Sequence, residues 1–380
     1  MNRSIGKYRY AGRKKFSADK FDPADKGGFQ GREEAVLEFV DNLKKINRLQ
    51  QKLYAERKEG LVFVFQAMDA AGKDGVIRTV FNTLSPHGVK EYCFKVPSSE
   101  EMSHDYLWRF WSALPPRGSI SIFNRSYYED VLVGRVKELY KNQTWPDRLK
   151  GTDVIGQRYH QIREYEKYLY ETGTRVVKIF LNVSKDEQAR RFVSRIDVPK
   201  KNWKLSLNDI KEREYWDAYM EAFEAMVNRT STKESPWYVV PADHKWYARL
   251  IVSRIVLQTL KEMNPDYPVN NGEEFEQAMQ YRQALIDSIT DGKLPDSLPE
   301  ADALPIEVSI DEEDVRLFSE PDAIAAEMLM GEEFQKISEK GRSLKKKGLS
   351  AVSRLAKSGY KVKYTDEIIK AVVDSDKKKG

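Results

Sequence analysis

Between residues 32 and 59 apolar side chains recur at Val36, Phe39, Val40, Leu43, Ile46, Leu49 and Leu53. Steps of three and four place them on one face, so the spacing predicts an amphipathic helix. The pattern then changes. Residues 61–65, LVFVF, are continuously apolar and rich in β-branched and aromatic side chains. Such a run suits a strand covered on both faces of a parallel sheet. Similar runs return at 92–96, 119–123, 176–181 and 237–240. Helical patterns separate them at 76–84, 100–111, 128–140, 155–171, 185–196 and 246–263. This alternation predicts an α/β fold, a parallel sheet sandwiched by helices.

Three segments depart from the alternation. Residues 1–30 are polar and glycine-rich, and read as an arm lying on a domain surface. Residues 197–233 are charged and mostly helical, and interrupt the path from one strand to the next as a mobile lid would. Past about residue 268 an extension begins, acidic over 296–314 and basic over 336–380, where 14 Lys and Arg face 5 Asp and Glu. The whole chain carries +5, so removing this surplus of nine leaves about −4 on residues 1–335. Any anion bound by the body of the chain must therefore be held by local clusters of charge.

Composition narrows the class further. With 380 residues, 41% hydrophobic and 32% charged, the chain can bury a core, which argues against wholesale disorder. The single cysteine, Cys93, rules out an internal disulfide framework and fits a reducing compartment. It lies in the strand run EYCFKV and is expected to be buried there. No apolar run approaches bilayer-spanning length, and the basic N-terminus lacks an apolar signal core, so a soluble cytoplasmic protein is expected. His87, His104, His160 and His244 lack metal-ligand spacing, against a zinc site.

The candidate chemistry begins at residues 65–75, FQAMDAAGKDG. A strand, a turn ending in Gly-Lys and then a helix form the context of a phosphate-binding loop. Backbone N–H groups of Ala70, Ala71, Gly72, Asp74 and Gly75 are candidates to cradle phosphate, with Lys73 supplying charge. The loop departs from the usual pattern: Ala67 stands at the first glycine, and Asp74 where Ser or Thr would hold Mg²⁺. Asp69 raises a question, since a bare carboxylate beside a polyanion is repelled. Either a divalent cation bridges it to phosphate oxygens, or it accepts a proton from the attacking phosphate. Asp74 reads equally as a metal ligand or as a carboxylate favouring the helix N-terminus.

A second group lies in SISIFNRSYYEDVLVGRV, residues 119–136. The strand stops at Asn124-Arg125-Ser126, and polar groups at the carboxyl end of a parallel strand face the ligand crevice. Arg125 there suits a phosphate, and Glu129 a metal or its waters. A third group is KDEQARRFVSRID, residues 185–197. Arg191 and Arg195 are four apart and share a helix face at the lid's edge, where they suit an anion gripped on closure; Arg190 points elsewhere. Trp203, Tyr215, Trp216 and Tyr219 read as core packing before base stacking. Arg78, Arg109 and Arg117 are candidates for a cationic path along an anionic chain, or for surface salt bridges.

AMDAAGKDG, IFNRSYYEDVLV, KDEQ with its downstream arginines, and STKESPWYVVPADHKWYARL resemble, in collinear order, the polyphosphate kinase 2 family. The resemblance implies a P-loop kinase-like domain over residues 31–268, with a helical lid at about 197–233. It implies transfer of a terminal phosphate between inorganic polyphosphate and AMP, ADP or ATP. Mg²⁺ is the implied cofactor, with Mn²⁺ as a substitute, and the implied assembly is a dimer or tetramer. Asp69 then matches the family's loop aspartate, Lys73 its loop lysine, Arg125 and Glu129 its second motif, and Arg191 and Arg195 its phosphate-contacting lid arginines. Asn124 departs from the Asp of many members, which passes the metal role to Glu129. The Asn-Arg-Ser form resembles the subgroup that accepts both AMP and ADP. The extension, residues 269–380, has no counterpart in the resemblance. It reads as a solvated, partly helical tail, as a recruiter of polyphosphate, nucleic acid or an anionic surface, or as a contact between its acidic and basic stretches. Two other functions stay open on the sequence: an ATP-dependent P-loop kinase for a nucleotide or small molecule, and a non-catalytic polyphosphate or nucleotide sensor.

Overall fold

The computed structural model describes residues 5–143, 145–269 and 272–289, with two short segments at 307–309 and 361–363. After a 3₁₀ turn at Ile5–Tyr8, β1 (Arg9–Tyr10) leads across the arm to α1 (Arg32–Glu56), whose Val36, Phe39, Val40, Leu43, Ile46 and Leu53 are buried. Next come β2 (Gly60–Ala67), α2 (Lys73–Phe81), β3 (Val89–Cys93), α3 (Ser99–Ser103), α4 (Trp108–Trp111) and β4 (Ile120–Asn124). A 3₁₀ turn at Tyr127–Val131 leads to α5 (Val133–Val136) and α6 (Val154–Glu171). Then follow β5 (Thr174–Asn182), α7 (Lys185–Asp197), α8 (Leu207–Lys211), α9 (Trp216–Thr230), β6 (Trp237–Pro241), α10 (Lys245–Met263) and α11 (Glu273–Asp287).

The main sheet has the order β1-β6-β5-β2-β4-β3. All neighbours are parallel except β1, which pairs antiparallel with β6. Helices α1, α2 and α10 pack together, while α6 packs on β5 and against α9. Strands β4 and β6 are buried throughout, and β2 nearly so, as their unbroken apolar runs require. Strand β2 lies between β4 and β5, so successive strands diverge from it. Open α/β sheets bind ligands at the carboxyl ends of the strands flanking such a switch point.

The structure departs from the sequence pattern in four places. The helical pattern at 100–111 resolves into α3 and α4, because Ser98 and Glu101 cap α3 reciprocally and Asp105 turns the chain. The pattern at 128–140 becomes the 3₁₀ turn, α5 and a second 3₁₀ turn, broken at Glu138 with φ 51°. Strand β3 begins three residues earlier than its apolar run, and Cys93 is exposed, not buried. The reason is position: β3 is an edge strand, covered along only one side by β4. The arm does more than lie on the surface, since Ile5, Tyr8, Tyr10, Phe16 and Phe29 are buried and the Tyr8 and Tyr247 hydroxyls meet at 2.8 Å.

The segment after α7 divides at Tyr215. Trp203 and Leu207 are exposed before it, whereas α9 buries Trp216, Tyr219, Phe223, Met226 and Val227. Helix α11 buries no side chain. The acidic and basic stretches of the extension lie largely outside the described residues. Where described, β7 (Glu307–Ser309) and β8 (Lys361–Lys363) pair in parallel, Glu307 opposite Lys361, which joins one stretch to the other.

Candidate active site

The loop after β2 runs over the switch point. Its turn is closed by the Ala71 N–H donating to the Met68 carbonyl at 3.2 Å. Two residues take left-handed backbone, Ala70 at φ 62° and Gly72 at φ 105°. Gly72 does so at little cost, being the residue before α2, but Ala70 carries a Cβ and its φ is strained. Lys73 opens α2 and is buried, its ammonium donating to the Ala67 carbonyl at 3.1 Å. Burial, then the nearby Arg125, push the Lys73 pKa down; Asp69, Glu129 and Asp74 hold it up.

The second turn meets this loop from β4. Its Arg125 is left-handed as well, at φ 64°, and its N–H donates to the Phe65 carbonyl at 3.1 Å, which locks the two strand ends together. The guanidinium donates to Asp69 at 2.8 Å and lies 4.0 Å from Glu129. Burial opposes the Arg125 charge, but Glu129, Asp69 and Asp209 on α8 outweigh it and raise its pKa. Burial raises the Glu129 pKa, against the pull of Arg125 and Lys73. Gln66, oriented as its neighbours require, donates to Glu129 at 2.9 Å and accepts from the Ser126 hydroxyl at 3.1 Å.

Asp69, Lys73, Arg125 and Glu129 thus form one electrostatic cluster. Among the expected loop residues, Asp74 points to the edge strand, where the Asn124 amide donates to Asp74 at 2.9 Å and to Glu91 at 3.0 Å. Arg78, on α2, is exposed. Arg109 stays on the same side of the sheet, donating to the Lys95 carbonyl at 2.9 Å just past β3. Arg117 does not: it precedes β4 and lies against Gly173, which precedes β5. A five-residue parallel strand separates the two ends by roughly 15 Å, so Arg117 is at the end of the sheet away from the loop.

The two arginines of α7 go to different neighbours. Arg191 donates to Glu187 at 2.9 Å, to the carbonyls of Ala70 at 3.1 Å and Ala71 at 2.6 Å, and to those of Ala242 at 2.6 Å and Asp243 at 3.0 Å. All five guanidinium donors are engaged by protein in this arrangement. Arg195 turns to the segment beyond, donating to the Lys204 carbonyl at 3.2 Å and lying 3.5 Å from Asp209. Arg190 is exposed.

Sequence reasoning passed over three residues that build the site. They are Gln66 behind Glu129, Gln188 donating to the Asp69 carbonyl at 2.9 Å, and Arg213 donating to Gln188 at 2.6 Å. Gln66 and Gln188 lie inside the motifs FQAMD and KDEQ; buried amides in such motifs are the signal that was present.

A central parallel strand, a Gly-Lys turn into a helix and a basic second turn from the neighbouring strand define a P-loop kinase-like α/β protein. The family model described as Polyphosphate kinase 2 (PPK2) matches residues 31–268, and the chain belongs to that family. It is 44% identical over 263 residues to the AMP/ADP-polyphosphate phosphotransferase of Meiothermus ruber, covering 69% of this chain and 95% of that protein. It is 46% identical over 246 residues to the ADP-polyphosphate phosphotransferase of Rhodopseudomonas palustris, covering 64% and 85%. The crystal structure of polyphosphate kinase 2 from Arthrobacter aurescens TC1 matches with a TM-score of 0.68 and 36% identity, over 75% of this chain and 97% of that one.

Proposed function

We propose that the chain is a polyphosphate-dependent phosphotransferase that moves a terminal phosphate reversibly between inorganic polyphosphate and AMP or ADP. The observation that carries this reading is the Asp69–Arg125–Glu129 cluster beside buried Lys73, at the switch point of a polyphosphate kinase 2 fold. Lys73 and the amides at the start of α2 face the transferring phosphate, and Arg125 balances charge between the two substrates. Asp69 orients the acceptor phosphate. No group of three or more His, Cys, Asp or Glu among the described residues is arranged to hold a metal alone. That fits Mg²⁺, which takes one or two carboxylates and completes its shell with substrate phosphates and water. Asp69 and Glu129 would hold Mg²⁺, or Mn²⁺ in its place, and the bound ion would neutralise phosphate charge next to those carboxylates. Arg195, on α7 at the lid's edge beside Asp209, is available to reach phosphate when residues 197–215 close. The reading extends to a cytoplasmic homo-oligomer, a dimer or tetramer, which light scattering on the purified chain would decide. Among the described residues no helix is long and apolar enough to cross a membrane.

The test mixes purified protein with AMP or ADP, Mg²⁺ and long-chain polyphosphate, and resolves the nucleotides formed. New ADP or ATP is the expected result. Turnover only with ATP and another acceptor would replace this reading by an ATP-dependent kinase, and binding without turnover by a sensor.

A further inference from the structure

We propose that Gln188 and Arg191 of α7 are positioning residues: together they hold the phosphate loop in its anion-binding form, and Arg213 ties that hold to the lid. The proposal rests on the function inferred above. Three successive carbonyls of the loop, those of Asp69, Ala70 and Ala71, accept hydrogen bonds from these two side chains. In a planar trans peptide the N–H points opposite to the C=O. Drawing these carbonyls towards α7 therefore turns the N–H groups of Ala70, Ala71 and Gly72 away from it. The Ala71 N–H closes the turn on Met68, which leaves those of Ala70 and Gly72 directed to the other side. This arrangement requires the left-handed backbone seen at Ala70, a conformation that an alanine does not keep without outside support.

The supporting side chains are themselves fixed. Gln188 is buried, and its carbonyl oxygen accepts from Arg213, which also donates to the Lys185 carbonyl at 3.1 Å. Arg191 is anchored at its far side by the carbonyls of Ala242 and Asp243 just past β6, and at its Nε by Glu187. Ser184 caps α7, and its own N–H donates to the Asp243 carboxylate at 2.7 Å, so the helix and the turn after β6 form one support. Spacing of three residues puts Gln188 and Arg191 on the same helix face, next to each other along the loop. Arg213 lies within the lid segment, between α8 and α9, so a lid movement that withdraws it frees the Gln188 amide and loosens the Asp69 carbonyl. The loop is thus best formed when the lid segment is docked.

A phosphate-contacting arginine and a positioning arginine differ in salt dependence. Removing a cation that touches a polyanion lowers the slope of log affinity against log salt by about one, because one fewer counterion is displaced. Removing a residue that only shapes the loop leaves the slope unchanged. The experiment compares the unaltered chain with Arg191→Lys, Gln188→Met and Arg213→Ala. It measures tripolyphosphate binding from low to moderate salt, kcat and KM with polyphosphate and ADP, and hydrogen exchange at loop amides. Arg191→Lys keeps the charge but cannot reach four carbonyls; Arg191→Gln removes the charge and serves for the salt slope.

Expected are a loss of tenfold or more in kcat for Arg191→Lys and Gln188→Met, faster exchange at residues 70–72, and weaker tripolyphosphate binding with an unchanged slope in Arg191→Gln. Arg213→Ala should give a smaller loss in the same direction. A slope reduced by about one in Arg191→Gln, with kcat kept in Arg191→Lys, would overturn the proposal, as would unchanged loop exchange in all variants. If the unaltered chain binds tripolyphosphate but turns over no nucleotide, the function fails while binding and exchange still decide the positioning role.

Discussion

The 3₁₀ turn Tyr127–Val131 stands between two sets of opposite charges that a sequence reader cannot tell apart. On one side Glu166 and Lys178 pair at 2.6 Å, 1% and 0% exposed. Glu166 also accepts from the Tyr127 and Tyr128 hydroxyls, each at 2.8 Å, and Lys178 donates to the Thr230 carbonyl at 2.8 Å. On the other side Arg125 faces Asp69 and Glu129, with the guanidinium 40% exposed. The first set is closed to solvent and paired within the protein, so it holds the turn to α6 and β5. The second keeps open donors and acceptors at a strand end, so it can exchange partners for a ligand. Charge alone does not mark function; charge with unfilled capacity, on a rigid support, does.

That contrast can be broken at either end. Glu166→Ala strands a buried ammonium and should cost about 3–5 kcal/mol, read as a lower urea midpoint with turnover per folded molecule retained. A double change, Glu166→Leu with Lys178→Met, should recover most of this; a double as unstable as the single would mean the pair itself is indispensable. Asp69→Asn should act the other way, lowering kcat by about 100-fold while the melting temperature moves by only a degree or two. Near-normal turnover would refute the role given to that carboxylate. Arg125→Lys keeps the charge but loses the planar fork, with an expected loss of about tenfold in kcat/KM.

The smallest effect concerns Asp130, adjacent to Glu129 but turned to Arg158 at 3.9 Å. Burial raises its pKa to about 6. The folded state then binds this proton more tightly than the unfolded chain. The associated stability is present below the ordinary aspartate range and is lost as pH rises through about 6. Asp130→Asn should therefore gain in melting temperature relative to the parent between pH 4 and pH 7. Because the side chain is 30% exposed, the gain is on the order of 1 kcal/mol. A difference independent of pH would show that Asp130 is ionised freely.

Much of the site was legible. The glycine-lysine turn after an apolar strand and the Asn-Arg-Ser stop after another place Lys73 and Arg125 at neighbouring strand ends, once both strands are taken as parallel. Asp69 and Glu129 follow from the same turns. The surroundings of Arg191 and Arg117 were not legible. Spacing puts Arg191 on a face with Arg195, yet one meets loop carbonyls and the other meets Lys204 and Asp209. Arg117 counts as a nearby cation in the sequence but lies at the far end of the sheet.

The sequence by itself determined the alternation of strands and helices, because side-chain periodicity is a local property, while the breaks within 100–111 and 128–140 came with capping and turns. It also determined where the chain turns with glycine and where acidic and basic groups cluster. The tertiary structure decided which charges are neutralised within the protein and which remain for a ligand. It left Cys93 exposed on an edge strand and set Arg191 against the loop carbonyls of Ala70 and Ala71. The reason is that a guanidinium or carboxylate takes its surroundings from the groups within about 3 Å of it, and these come from distant segments: Asp69 lies 56 positions from Arg125, and Ala242 and Ala71 lie 51 and 120 positions from Arg191.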